Sequence, residues 1–117
     1  MAAMLENTKV NAAVCHAAAS DPTLLATDLV DYLVLKGMPF RQAHHTVGAV
    51  VALAEEASKP LNRLSPAELE SVDPNLRADA LQVFDLKKAM ARRNLIGAPG
   101  TKEVRKQLAR WGKLLSA

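Results

Sequence analysis

Apolar residues recur along this chain at the three- and four-residue spacing of an amphipathic helix, and no stretch alternates as a strand does. Alanine is abundant, and the glycines and prolines lie between the periodic stretches. Alanine favours helix, while glycine and proline interrupt it. The pattern therefore predicts an all-α fold of about six or seven helices.

The first predicted helix, from Ala3 to Ala19, has only a weak apolar stripe. Proline at Asp21-Pro22 ends it, because proline lacks the backbone N–H. A weak stripe is expected of a helix that packs on a partner outside the chain. We predict that residues 1-20 are the end of a long bundle helix and residues 21-117 a compact helical unit, within a single domain 1-117. The sizeable apolar side chains of the first helix are Met4, Leu5, Val10 and Val14.

The second and third helices have the clearest signals. Thr27 or Asp28 is predicted to cap the second helix, and Gly37 to end it with a positive φ. Pro39 opens the third helix, which is predicted to continue to about Ser58. Its apolar stripe consists of Phe40, Ala43, Val47, Val50, Val51 and Ala54.

The remaining predicted helices are shorter, except the last. The sequence SPAE at 65–68 places a serine cap, a proline at the first helical position and a glutamate three residues after the cap. It predicts the start of a helix that ends near Val72. Three more helices are predicted: one over Asn75–Val83, one capped by Asp85 that carries LKKAMARRN, and one capped by Thr101 that ends near Leu115.

Charge is divided unevenly along the chain, whose net charge is +3. Met1 to Leu86 holds six Lys/Arg and eleven Asp/Glu, whereas Lys87 to Ala117 holds nine Lys/Arg and one acidic residue, Glu103. Such a basic end can meet nucleic acid, an anionic ligand, or an acidic surface of its own protein.

Compartment signals are simple. The one cysteine, Cys15, cannot form an internal disulfide, which fits a reducing compartment. No apolar run approaches the roughly 18 to 20 residues of a membrane span, and the N-terminal region lacks the features of a signal peptide. We expect a cytoplasmic protein with neither leader nor anchor.

The adjacent histidines His44 and His45 are the first candidates for chemistry. Neighbouring helical positions point in different directions, so the pair lacks the His-x-x-x-His spacing of a metal site. We instead predict that His44 hydrogen-bonds across the helix pair, to Asp28, Asp31 or a backbone carbonyl. Gly48 costs about 1 kcal/mol in mid-helix relative to alanine, which predicts the close approach of a neighbouring helix.

Other candidates also have structural alternatives. Asp28 and Asp31 could form a carboxylate pair for acid/base work, but both fit the first turn of a helix, where the macrodipole favours negative charge. Arg92 and Arg93 could bind an anion with forked donors, or could be a basic helix end, and the sequence leaves both open. No serine lies in a nucleophile motif and no glycine pattern matches a nucleotide loop, so no catalytic, cofactor-binding or metal residue is predicted.

Three longer stretches together resemble one family. They are ATDLVDYLVLKGMPFRQAHHTVG at 26–48, LSPAELESVDP at 64–74 and FDLKKAMARRN at 84–94. The first is similar to the pattern ATDLADYLV, a short basic link, G-x-PFR-x-AH and a later glycine, found in the C-terminal domain of argininosuccinate lyase, of the fumarase/aspartase-like superfamily. The likeness extends over almost the whole chain. It implies that the matching residues hold this domain together: Thr27, Asp28, Asp31, Tyr32, Gly37, Pro39, Phe40, Arg41, His44 and Gly48.

The resemblance also implies a function for the larger enzyme. Argininosuccinate lyases split argininosuccinate into arginine and fumarate by β-elimination, in arginine biosynthesis, without metal or organic cofactor. They are homotetramers whose active sites combine several subunits. Their catalytic serine loop and catalytic histidine lie upstream of this domain, and no such loop is present here. The resemblance thus implies a domain that supports packing and active-site closure, with the rest of the lyase as its partner, and that is inactive alone.

A second function of another class stays open at this point. The basic C-terminal segment could make the chain a stand-alone helical adaptor that binds an anion or nucleic acid. Four aromatic residues are few for base stacking, so nucleic acid is the weaker choice. The sequence also leaves open whether the domain is an excised piece or separately encoded, which Met1 allows, and whether the first helix mediates self-association.

Overall fold

The fold is all-α, as predicted. The computed structural model describes residues 1–116, so the last residue of the predicted domain, Ala117, lies outside the described residues. Within that range there are seven α-helices and no strand. The α-helices are α1 (Ala2–Glu6), α2 (Ala12–Ala19), α3 (Ala26–Leu35), α4 (Phe40–Glu56), α5 (Pro66–Val72), α6 (Leu86–Arg92) and α7 (Thr101–Leu115). Three 3-10 helices lie between them, at Pro22–Leu25, Leu61–Arg63 and Ala78–Phe84.

The N-terminal segment differs from the single helix predicted for Ala3 to Ala19. It forms α1 and α2, separated by a break after Glu6. Asn7 and Thr8 donate side-chain hydrogen bonds to the carbonyls four residues earlier, both at 2.7 Å. Asn11 then caps α2 by accepting from a backbone N–H at 3.2 Å. These short polar side chains satisfy backbone groups locally and so compete with a continuous helix. Every residue from 1 to 20 is exposed.

The hydrophobic core forms where α3 packs against α4 and the shorter elements cover the pair. Its largest fully buried side chains come from α3, α4, α5 and the segment that follows α5. Burial of each such leucine or valine contributes roughly 1.5–3 kcal/mol. They are Leu29, Leu33, Val50, Leu69 and Leu76.

A tight turn joins α3 to α4. Gly37 has φ +95°, which confirms the predicted left-handed glycine. Its N–H donates to the Val34 carbonyl at 2.9 Å, and the Met38 N–H donates to the Leu33 carbonyl at 3.1 Å. This is the Schellman arrangement, and Met38 and Leu33 are both buried, as that motif favours. The turn therefore sets where α4 begins.

Two predicted caps are confirmed. Ser65 accepts from the Glu68 N–H at 3.2 Å, and the Glu68 carboxylate accepts from the Ser65 N–H at 2.7 Å, which completes the capping box. Asp85 accepts from the Lys88 N–H at 3.0 Å at the start of α6. Both signals depend only on residues three apart in sequence, which explains why they could be predicted.

The caps predicted for the second helix were wrong. Neither Thr27 nor Asp28 caps α3, whose cap position is Leu25 without a side-chain bond. The chain enters α3 from the 3-10 helix Pro22–Leu25, which Asp21 caps by accepting from the Thr23 N–H at 2.9 Å. Since the preceding turn is already helical, the side-chain cap is needed one turn earlier.

Two later elements also differ from their predictions. The helix predicted over Asn75–Val83 is a 3-10 helix over Ala78–Phe84. Thr101 does not cap α7; it is the first helical residue, and Gly100 occupies the cap position. A Cβ on Gly100 would collide with the carbonyl oxygen of Arg93, so only glycine permits this close crossing of the end of α6. The crossing sets the direction in which α7 leaves the domain.

Candidate functional site

The motif residue Asp28 is tied to Arg93, which follows α6. Arg93 donates to the two carboxylate oxygens of Asp28 at 2.9 and 3.1 Å, in a bidentate pair. The Asp28 side chain is 10% exposed and that of Arg93 33%. The hydrogen bond to Asp28 raises the pKa of Arg93 above its ordinary value. Such a forked, largely desolvated pair joins α3 to the end of α6 with defined geometry.

Arg92 lies beside this pair. Its guanidinium is 3.8 Å from Asp28 and donates to the Val83 carbonyl at 3.3 Å. Because Asp28 engages both arginines, they act here as ties between helices. Anion binding by Arg92 and Arg93 stays a prediction.

A second network on the same side of α3 involves the motif residue Tyr32. Lys36 donates to the Tyr32 hydroxyl, and its ammonium also lies 4.3 Å from the Tyr32 ring centre. The same ammonium is 3.2 Å from the Asp79 carboxylate. Burial, with a contribution from the negative charge of Asp79, raises the pKa of Tyr32 above 10.0. The network connects α3 to the 3-10 helix Ala78–Phe84.

A shallow cavity of about 320 Å³ separates these two networks. Asp31, which is exposed, lies at its edge and makes no ion pair within residues 1–116. The cavity has no serine or cysteine in its wall, and its one buried carboxylate is already paired. It is therefore poorly equipped for acid/base or nucleophilic chemistry. It is lined by Asp28, Asp31, Tyr32, Leu35, Arg92 and Arg93.

The motif residues at the start of α4 are arranged differently, because they face away from the domain. Pro39 precedes the helix at its cap position. Phe40 is 64% exposed, and Arg41 and His44 are also exposed. The Phe40 and His44 rings lie next to each other with their centres 6.2 Å apart.

The predictions for His44 and Gly48 were both wrong about their neighbours. His44 makes no hydrogen bond to Asp28, Asp31 or any other described residue, since its side of α4 faces solvent. Gly48 is exposed, and a Cβ there would have nothing within 4 Å. The neighbouring helix that would explain this glycine is absent from residues 1–116. Phe40, expected in the core stripe, lies at the exposed edge of that stripe.

Sequence reasoning missed three features. The partner of Asp28 is 65 residues away, so no local signal identifies it. Gly100 matters through its contact with Arg93, although the loop itself was recognised. Ser58, at φ +50°, has the left-handed conformation that ends α4, a position where glycine is usual.

Metal ligands and membrane-spanning helices are not found in the described part of the chain. No group of three or more His, Cys, Asp or Glu residues within residues 1–116 could hold a metal ion. None of the helices in the same range is long and apolar enough to cross a membrane.

Helices tied by long-range ion pairs, with a motif surface facing outwards, define a helical packing and interaction domain rather than a self-contained active site. The family model described as "Argininosuccinate lyase C-terminal" matches residues 23–91. The chain belongs to this family of argininosuccinate lyase C-terminal domains, which confirms the resemblance seen in the sequence.

Individual relatives agree. The chain is 44% identical to the argininosuccinate lyase of a Nitratiruptor species over 112 residues, which cover 95% of this chain and 24% of the relative. It is 41% identical to argininosuccinate lyase 1 of Mesorhizobium japonicum over 117 residues, covering 99% and 25%. With the lyase of Anaeromyxobacter sp. (strain K) it shares 40% identity over 111 residues, covering 91% and 24%. The chain thus spans about a quarter of the length of these relatives. These matches favour the lyase domain over the adaptor.

Proposed function

We propose that this chain acts as the C-terminal domain of an argininosuccinate lyase, supports the packing and closure of that enzyme, and is inactive alone. One observation carries the proposal: the chain is 40–44% identical to three argininosuccinate lyases across 91–99% of its own length, and spans about a quarter of each. The activity would reside in the complete enzyme, as β-elimination of argininosuccinate to arginine and fumarate.

The chemistry of the described residues supports inactivity of the isolated chain. Elimination needs a base placed to remove a proton next to a carboxylate. The carboxylates of Asp28, Glu68 and Glu103 are each engaged by a lysine or arginine. His44 and His45 lie exposed on α4 with no ion-pair partner in residues 1–116. No side chain among them is both free and enclosed, as a general base should be.

The outward-facing motif residues support a partner outside the chain. Phe40, Arg41, His44 and Gly48 lie on one exposed side of α4, beside its buried stripe. A large aromatic side chain and an arginine are typical anchors of protein interfaces. A mid-helix glycine with open space above it allows another backbone to approach closely. We propose that this surface contacts the rest of the lyase.

The N-terminal segment would take part in the same assembly. Residues 1–20 expose Met4, Leu5, Val10 and Val14, at 75%, 70%, 76% and 62%. We propose that α1 and α2 join as the end of one bundle helix when the remaining enzyme, a homotetramer in this family, is present. In the isolated chain the same side chains would favour self-association. A cytoplasmic location is part of the proposal, supported by the single, exposed Cys15.

The test uses the lyase of the Nitratiruptor species as a host enzyme. Three proteins are compared for fumarate release from argininosuccinate: this chain alone, the host with its matching quarter deleted, and the host with that quarter replaced by this chain. We expect activity only in the third protein. Fumarate release by the chain alone would contradict its inactivity, and a folded but silent replacement protein would contradict its role in the lyase.

A further inference from the structure

The apolar side chains of α7 form a narrow exposed row. Val104, Leu108, Trp111 and Leu115 are spaced four, three and four residues apart and expose 42%, 66%, 55% and 82% of their surface. At 100° per residue they fall within one narrow strip of the helix. We name these four residues the α7 seam.

The domain itself contacts a different side of α7. Glu103 is the one buried residue of this helix, and Lys106 pairs with it at 2.6 Å. Gln107, one turn further along, is half-buried. The helix thus rests on the domain through polar side chains and leaves its apolar strip in solvent. This inversion of the usual amphipathic arrangement indicates that another surface covers the seam.

The spacing specifies what kind of surface that is. Intervals of four, three and four residues are the heptad repeat, in which apolar side chains insert between those of a facing helix. A strip restricted to these positions is the narrow seam of helix-on-helix packing, and is thinner than the face of a helix lying on a sheet or in a broad core. Over Val104 to Leu115 the seam is roughly 16 Å long, about three helical turns.

Charge specifies the sign of the partner. Besides the seam, α7 carries five basic residues and a single acidic one, Glu103, which Lys106 already neutralises. Two copies of α7 packed together would bring their positive charges into proximity, which disfavours a dimer through this helix. An acidic helix would instead be attracted, and Arg105 lies at the edge of the seam, where flanking charges select coiled-coil partners. The basic residues are Lys102, Arg105, Lys106, Arg110 and Lys113.

We propose that the α7 seam docks on an acidic helix in the part of the argininosuccinate lyase that this chain does not span. The inference rests on the proposed function and specifies its contact surface. Docking would clip the domain to the enzyme body through a helix whose direction is set at Gly100. The α4 surface and the α7 seam would then be two separate attachments.

The experiment uses the replacement protein described above, with three variants. Leu108→Gln places an amide in the seam, and its matched control, Ala109→Gln, places the same side chain at an exposed position outside the seam. Arg105→Glu reverses the flanking charge. Backbone hydrogen exchange over residues 101–115 is followed by mass spectrometry in each protein and in the isolated chain at several concentrations, together with fumarate release.

We expect α7 to exchange at least tenfold more slowly in the replacement protein than in the isolated chain, since a lone amphipathic helix opens readily. Leu108→Gln and Arg105→Glu should each restore fast exchange, and Ala109→Gln should not. If Leu108→Gln leaves the protection unchanged, the seam is not the contact. If Arg105→Glu increases protection, the partner is not acidic. Protection of α7 in the isolated chain that grows with concentration would replace the lyase body with a second copy.

The two proposals can fail separately. An active replacement protein in which α7 exchanges freely overturns the docking of the seam and leaves the lyase function intact. A silent replacement protein in which α7 is protected through Leu108 supports the docking and overturns the functional role. Silence together with free exchange overturns both.

Discussion

Arg93 donates two hydrogen bonds, at 2.9 and 3.1 Å, to the carboxylate of Asp28, which lies 65 residues earlier in the chain. The pair is the longest-range tie among the described hydrogen bonds and joins two stretches of the family motif. Neither stretch alone shows why its charged residue is there. The pair explains both.

Removal of the charge of Asp28 should therefore destabilise the domain. Asp28→Asn leaves the Arg93 guanidinium without its bidentate acceptor, and we expect a loss of about 1–3 kcal/mol in the free energy of unfolding, typical of hydrogen bonds to charged groups. Urea unfolding followed by circular dichroism measures it. The control is Asp79→Asn, which breaks the exposed pair with Lys36 and should change the midpoint much less. Equal losses would show that the Asp28 pair is no special tie.

Gly48 and Gly100 should respond to alanine in opposite directions. Gly48 lies in the middle of α4 with open space around it, so Gly48→Ala should stabilise the isolated chain by about 0.5–1 kcal/mol. Gly100→Ala places a methyl group against the Arg93 carbonyl and should cost roughly 1–3 kcal/mol. Thermal unfolding of both variants measures the difference. Destabilisation by Gly48→Ala in the isolated chain would mean that another surface already lies close to it.

Ser58 offers a stabilising substitution. It is the residue after the end of α4 and has φ +50°, and its neighbour Lys59 donates to the Ala54 carbonyl at 2.9 Å, as in a Schellman motif. Because glycine adopts this conformation without steric cost, Ser58→Gly should raise the free energy of unfolding by up to about 1 kcal/mol. Ser71→Gly, within α5, is the matched control and should lower it. Chemical denaturation distinguishes the two, and a loss in both would contradict the cap.

Glu68 should make stability depend on acid pH. Its carboxylate accepts from Lys59 and from Ser65, which lowers its pKa from 4.5 to about 2. A depressed native pKa stabilises the fold above pH 4.5, and this contribution disappears as the pH falls towards 2. The stability difference between wild type and Glu68→Gln should thus be largest at neutral pH and vanish near pH 2. Glu70→Gln serves as control, and a pH-independent difference for Glu68→Gln would contradict the linkage.

Tyr32 should titrate late. Burial raises its pKa above 10.0, and as the single tyrosine of the chain it is the only source of a phenolate absorbance signal. We expect a spectroscopic midpoint above that of the unfolded chain in denaturant. A raised native pKa stabilises the fold below pH 10, and that stabilisation is lost as the pH rises further. Asp79→Asn should reduce the shift by removing a nearby negative charge; coincident folded and unfolded midpoints would contradict the burial.

The sequence by itself determined the features that depend on neighbours within a few residues. The all-α class, the capping box of Ser65 and Glu68, the Asp85 cap and the left-handed Gly37 all follow from local spacing. The family was also recognisable, because three motif stretches lie along one chain. Local failures came from competing signals of the same range, as where Asn7 and Thr8 interrupt the first predicted helix.

Only the tertiary structure decided which side chains meet and which face outwards. A charged side chain such as Asp28 suits a helix cap and a long-range ion pair equally well, and packing chose the ion pair with Arg93. The periodicity of α7 predicts an apolar side, but only its contacts through Glu103 reveal that this side is left in solvent. Helical propensity acts over a turn or two, whereas burial depends on the positions of elements far apart in sequence, and those positions arise only when the whole chain packs.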